Sequence, residues 1–411
     1  MSGWGPAGRS PEAHALYAAA ESERAAKPEK YRLGAAAVEP TIERALRGRD
    51  RGCLGDPSEW RDGLAHYLES AAEDGGLEAL GARMVLGTAA AKLAARAQLA
   101  DVLGADPSIE QRALAPPIVI VGGWRTGTTF LFRLLAADRR LRAPLPAELA
   151  APWRIAGRSP AEREAAIEAS GAAHELLHLL NPRLAAVHDS GPRLAEECVL
   201  AMGTDFRNWG FGSTVRLEAY SRWLADQDLG PSYRAYRRIL QLLDTGDRRW
   251  LLKAPAHTAE LAHLAAAFPG ACVVFLHRDI VETIASGASL FATFRSTYSD
   301  RVDGPDVGRF MTEQTELWLR RAERFRAAPA GASVTLVDVD YVELTRDPPA
   351  TLTRIYGAAG IDPPADLEAM VRRYHEAAPR GAKGTHRYGP EEFGLDPGAL
   401  RERFAWLPRR G

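Results

Sequence analysis

The chain has 411 residues, a hydrophobic content of 46% and a formal net charge of −1, which is enough apolar material for a large core. That charge balance excludes a nucleic-acid binder working through global charge, so Arg and Lys residues must act locally. No run of about eighteen apolar residues occurs, the polar start Met1-Ser-Gly-Trp-Gly-Pro6 lacks the apolar centre of a secretory signal, and Cys53, Cys198 and Cys272 are widely spaced without a Cys-x-x-Cys pair. These features predict a cytoplasmic protein with no transmembrane segment, no disulfide framework and no metal.

Up to about Ala115 the chain is rich in Ala, Leu, Glu and Arg, with helical periodicity clearest from Glu78 to Leu103, before Asp106-Pro107 and Pro116-Pro117 break the pattern. The expected organisation is a helical N-terminal extension over 1–115, covering a sheet or shaping the entrance to a site, followed by one catalytic unit over 116–411. Ile118-Val-Ile-Val-Gly-Gly-Trp-Arg125-Thr126-Gly127-Thr128-Thr129-Phe130 then reads as a buried strand, a glycine turn and the start of a helix. Glycines permit the tight turn, and the first amides of a helix favour an anion, so a phosphate or sulfate is the expected guest. The spacing from Gly122 to Gly127 matches the nucleotide-binding P-loop, but Thr128 stands where the ATP or GTP version carries lysine, which disfavours an ordinary ATPase.

The proline-broken turn Arg142-Ala-Pro-Leu-Pro-Ala predicts that Glu148 sits on an exposed connection after that helix. Residues 162–243 read as a mainly helical insertion whose Phe206, Trp209, Phe211, Tyr220, Trp223, Tyr233 and Tyr236 are chiefly core. Trp250-Leu-Leu-Lys253-Ala-Pro-Ala-His257 is a second short strand, and Val273-Val-Phe-Leu-His-Arg278 a third, leading into a helix that carries Ser286. Three strand ends with a cation each on one edge of an open α/β sheet make an anion site. A further strand, Val334-Thr-Leu-Val-Asp-Val339, precedes Tyr341, and Arg380-Gly-Ala-Lys383-Gly384-Thr385-His386 is a glycine-rich basic loop suited to clamping phosphate.

Arg125-Thr126-Gly127-Thr128-Thr129 resembles the 5′-phosphosulfate loop of sulfotransferases that use 3′-phosphoadenosine 5′-phosphosulfate (PAPS). The order of this loop, Leu141-Arg-Ala-Pro-Leu-Pro-Ala-Glu148, Leu251-Leu-Lys-Ala-Pro-Ala-His257, His277-Arg-Asp279 and the late Lys383-Gly-Thr-His386-Arg-Tyr388 with Glu392-Phe-Gly-Leu is similar to the Stf3-like branch of the bacterial enzymes. Ala147 replaces a tryptophan common before the family's glutamate, and Ile280 the usual proline after His-Arg-Asp. The resemblance implies a three-layer α/β/α fold with a central, mainly parallel sheet. It further implies PAPS as sulfuryl donor, held by Arg125, Thr126, Gly127, Thr128 and Thr129 at the phosphosulfate and by Arg278 and Ser286 at the 3′-phosphate. Phe130 and Tyr341 become walls for the adenine, and Lys383, Gly384 and Thr385 a clamp.

Sulfuryl transfer builds negative charge on the departing bridging oxygen, which Arg125 and Lys253 are placed to meet. The acceptor proton needs a base, for which Glu148 and His257 are equal candidates. The resemblance implies that the 162–243 segment contributes to the acceptor cavity; the expected acceptor is a hydroxyl of a hydrophobic small molecule such as a lipid, quinone or polyketide, and a homo-oligomer stays open. A small-molecule kinase and a non-catalytic sensor of PAPS or its bisphosphate product are the alternatives.

Overall fold

The computed structural model describes residues 8–377 and 388–408. Five strands form its sheet: β1 (Ile118–Gly122), β2 (Leu141–Arg142), β3 (Arg249–Lys253), β4 (Cys272–His277) and β5 (Thr335–Asp340), in the order β2-β3-β1-β4-β5. Every pairing is parallel, with Ile118 opposite both Leu251 of β3 and Cys272 of β4. Strands covered on both faces need apolar residues at consecutive positions, as Ile118, Val119, Ile120 and Val121 supply, all buried.

Side-chain alternation divides these residues between two cores. Ile118, Ile120, Leu251, Val274 and Leu276 pack with Leu131, Leu134, Leu352 and Ile355, from the helices Thr128–Leu135 and Pro348–Ala358. Val119, Val121, Leu252, Val273 and Phe275 face a larger core with Tyr220, Tyr236 and Trp318. The helices ahead of β1 join that second core directly, through Leu64 and Leu68 of Arg61–Glu73 and Leu86 and Leu93 of the long helix Ala79–Ala105. Helices thus cover both faces of the sheet, giving the three layers. No helix among the described residues is long and apolar enough to cross a membrane.

The stretch expected to be mainly helical is so only in part. Helix Pro160–Leu180 opens on a Ser159/Glu162 capping box, and regular helix returns at Glu218–Ala225 and Gly230–Leu243. Between Asn181 and Leu217 the chain makes only short turns, at Leu184–Val187, Cys198–Leu200 and Phe211–Thr214. Pro182, Pro192, Gly203 and Gly210 account for the interruption, since each removes a donor or loosens the backbone. Of the seven aromatics predicted there, Phe206, Tyr220, Tyr233 and Tyr236 are core, whereas Trp209 and Phe211 also line a cavity.

Candidate active site

Because all five strands run the same way, β1, β3, β4 and β5 deliver Gly122, Lys253, His277 and Asp340 to one edge of the sheet, beside the strand where the order reverses. The loop after β1 turns sharply, with φ of 138° at Gly122, 60° at Arg125 and 92° at Gly127. Thr126 ties it by donating from its hydroxyl to the Gly123 carbonyl at 2.9 Å. Gly127 is required twice over: its φ is left-handed, and a Cβ there would stand 2.8 Å from Cδ2 of Tyr341.

Arg278, just beyond β4, lies with its guanidinium carbon 4.5 Å from the centre of the Tyr341 ring. It donates to the Arg125 carbonyl at 2.9 Å and to Glu282 at 2.8 Å. Arg125 in turn donates to the Val187 carbonyl at 3.0 Å and to the hydroxyl of buried Ser286 at 3.4 Å. Burial, with Arg278 pushing the same way, lowers the Arg125 pKa, although a guanidinium stays protonated in the physiological range. Phe130 stands edge-on to Tyr374 at 5.7 Å. Arg125, Gly127, Thr128, Thr129, Phe130, Arg278 and Tyr341 all line one cleft of about 1060 Å³. Thr126 and Ser286 are buried beneath it, and Lys383, Gly384 and Thr385 lie outside the described residues.

Lys253 is 1% exposed. Its ammonium donates to the Thr129 hydroxyl at 3.2 Å and pairs with Glu197 at 2.5 Å. Glu197 faces the cleft and also a second chamber of about 300 Å³, walled by Trp124, Trp209, Phe211, Phe291, Phe294 and Trp318. The two spaces share Trp124, His188, Glu197, Pro255 and Leu290. Beside Glu197, the Glu196 carboxylate accepts from the Glu197 amide at 2.8 Å and pairs with His188 at 3.4 Å. Burial alone would raise the Glu196 pKa, but the cations of His188 and Lys253 and the amide bond hold it at about 2. Burial would likewise lower that of His188, and the Glu196 charge outweighs it and raises it.

A cationic cradle on a glycine turn thus lies against an apolar chamber, with Glu197, the partner of Lys253, at the junction. The profile of the Sulfotransferase family matches residues 116–365. The chain belongs to the sulfotransferase family. Among solved structures, sulfotransferase STF1 from Mycobacterium tuberculosis H37Rv is 27% identical, with a TM-score of 0.76 over 90% of this chain and 98% of that one. Sulfotransferase STF9 from Mycobacterium avium shares the fold at 24% identity, with a TM-score of 0.74 over 91% of this chain and 96% of its own. None of the curated proteins matches at a significant level.

Two residues expected at the centre of this sulfotransferase lie elsewhere. Glu148 is not on an exposed connection: Pro146 starts a short helix, Pro146–Ala150, and Glu148 reaches back from its first turn to cap the Leu145 amide at 2.9 Å. Its other oxygen pairs with Arg142 of β2 at 2.7 Å, in an interior where both side chains are buried. His257 is fully buried, its Nδ1 2.7 Å from the Tyr233 hydroxyl, and burial pushes its pKa down to about 3. Neither lines the cleft or the chamber. Glu197, by contrast, lies at their junction and was missed from sequence. The available signal was two adjacent carboxylates, Glu196-Glu197, inside the otherwise apolar run from Leu194 to Leu200 after a Gly-Pro break.

Proposed function

We propose that this sulfotransferase takes its sulfuryl group from PAPS and passes it to a hydroxyl of a hydrophobic small molecule. The observation that carries this reading is the junction: a cation-lined cleft meets an aromatic chamber at Glu197, whose carboxylate pairs with the buried Lys253. In this reading the loop of Arg125, Thr126, Gly127, Thr128 and Thr129 holds the phosphosulfate, Arg278 takes the 3′-phosphate with Ser286 beneath, and Phe130 and Tyr341 flank the adenine. The clamp assigned to Lys383, Gly384 and Thr385 belongs to the same proposal.

In transfer, the acceptor oxygen forms a bond to sulfur as the bond from sulfur to the bridging oxygen breaks, leaving 3′-phosphoadenosine 5′-phosphate (PAP). Arg125 and Lys253 offset the charge that grows on that bridging oxygen. We assign the acceptor proton to Glu197, because it faces both spaces, and not to Glu148 or His257, whose polar atoms face neither. A hydroxyl on an otherwise apolar body suits the aromatic walls, which gain by burying ring surface.

Calorimetric titration with PAP, AMP and ATP tests the donor, followed by transfer from labelled PAPS to a panel of phenols and alcohols. Selective binding that depends on the 3′-phosphate is expected. Preference for ATP with Mg²⁺ would overturn the assignment and favour a kinase.

A further inference from the structure

The aromatic chamber carries a charge at a second place, apart from its junction with the cleft. Lys92, on the helix Ala79–Ala105, lines the chamber but not the cleft and lies ahead of the residues that carry the family match. Its ammonium donates to the carbonyl oxygens of Leu200 and Met202, each at 2.7 Å. The amide of Asn208, another lining residue, also donates to Met202, at 3.2 Å, fixing this wall. An ammonium has three N–H donors, so one remains, and among the described residues no carboxylate lies within ion-pair distance of it. Burial pushes the Lys92 pKa down to about 8, with Asp205 the charge that opposes the shift. Lys92 is partly exposed, so at neutral pH it is a cation that offers its remaining donor to whatever enters the chamber, where an anion would gain a charge-assisted bond.

The three histidines on the same lining are accounted for. His188 is paired with Glu196, His178 has a partner of its own, and desolvation lowers the His174 pKa and favours its neutral form. One short turn, Cys198–Leu200, links the two charged places, because Glu197 precedes it and the Leu200 carbonyl at its end holds Lys92. Such a turn rises about 2 Å per residue, so both charged places are within reach of one small molecule with a compact, ring-sized body.

We propose that the acceptor is a hydroxy acid: an apolar, ring-sized body with its hydroxyl at Glu197 and a carboxylate paired with Lys92. This rests on the sulfuryl-transfer reading and names the acceptor class for it.

The probes are 6-hydroxy-2-naphthoate and 2-naphthol, which differ by the acid group. Each is titrated by calorimetry into the full-length protein, with and without saturating PAP, and offered as acceptor with PAPS. A charged hydrogen bond corresponds to a preference of about tenfold or more for the acid. Lys92→Met should abolish that preference and Lys92→Arg restore part of it, with PAP affinity unchanged in both. Tighter or equal binding of 2-naphthol by the unaltered protein, binding of neither probe, or a preference that survives Lys92→Met would overturn the proposal, and the first two need no variant to fold. Failure to bind PAP while the acid preference persists would instead sink the donor assignment and leave the acid site standing.

Discussion

Removing the Glu197 carboxylate should cost the reaction its proton acceptor while leaving the donor cleft in place. Glu197→Gln is expected to lower kcat by about 10²–10⁴-fold with little change in PAP affinity, read by steady-state kinetics and calorimetry. Arg278→Ala should do the reverse, weakening PAP about 10- to 100-fold through the loss of charge-assisted bonds, and an unchanged affinity would remove Arg278 from the 3′-phosphate. Glu148→Gln tests stability: it leaves Arg142 charged and buried, at a cost on the order of 3 kcal/mol, so the melting temperature should fall while the folded fraction keeps its kcat. The contrast explains what could be read from sequence at this scale. Arg125, Lys253 and Arg278 announce themselves because each ends a short apolar run beside glycine, proline or a helix start. Glu197 does not, since the lysine that gives it meaning is 56 positions away. Glu148 misled because a carboxylate behind a proline turn reads as exposed, and only the fold reveals that Arg142 is waiting inside.

The loop between β1 and the helix Thr128–Leu135 depends on an element two strands away. Gly127 passes so close to Tyr341, at the start of the helix Tyr341–Arg346, that Gly127→Ala must displace the ring or the loop. Its left-handed φ adds strain, together about 1–3 kcal/mol. Lower thermal stability and weaker PAP binding are expected together, because the displaced ring also carries Arg278. The glycine spacing was legible as a turn, but its partner was not, since a glycine pattern records the space required without naming the side chain that occupies it. The chamber wall between Asn181 and Leu217 was read only in part. Its aromatic content suggested helical core and the resemblance an acceptor cavity, but neither showed that the prolines and glycines interrupting the helix release Trp209 and Phe211 to face a cavity.

For the whole molecule, His257 ties stability to pH. Folded, it remains neutral down to about pH 3, while the unfolded chain takes up a proton near pH 6.5. The unfolded state therefore binds more protons below about pH 6.5, and stability is lost as pH falls from there toward 3, by up to about 1.4 kcal/mol per pH unit. Urea unfolding at pH 7, 6, 5 and 4 should show this slope reduced in His257→Gln. An unchanged slope would mean that other groups set the acid limb. The parallel sheet was legible because β1, β3 and β4 are continuous apolar runs, which suit strands buried on both faces. Strand β2 was not, since Leu141–Arg142 is too short to show a period. Periodicity also found the helix Ala79–Ala105 without its destination, because it describes the face a helix buries but not what it is buried against.

Arg125 occupies a backbone conformation, φ 60°, that costs a side chain with a Cβ about 1–2 kcal/mol. Arg125→Gly and Arg125→Ala both delete the guanidinium, yet only glycine relieves the turn, so the glycine variant should melt higher while both lose turnover. Under the proposed sulfuryl transfer the position favours chemistry over durability, and a search for hardier versions of this protein would be drawn first to a residue that this chemistry can least replace.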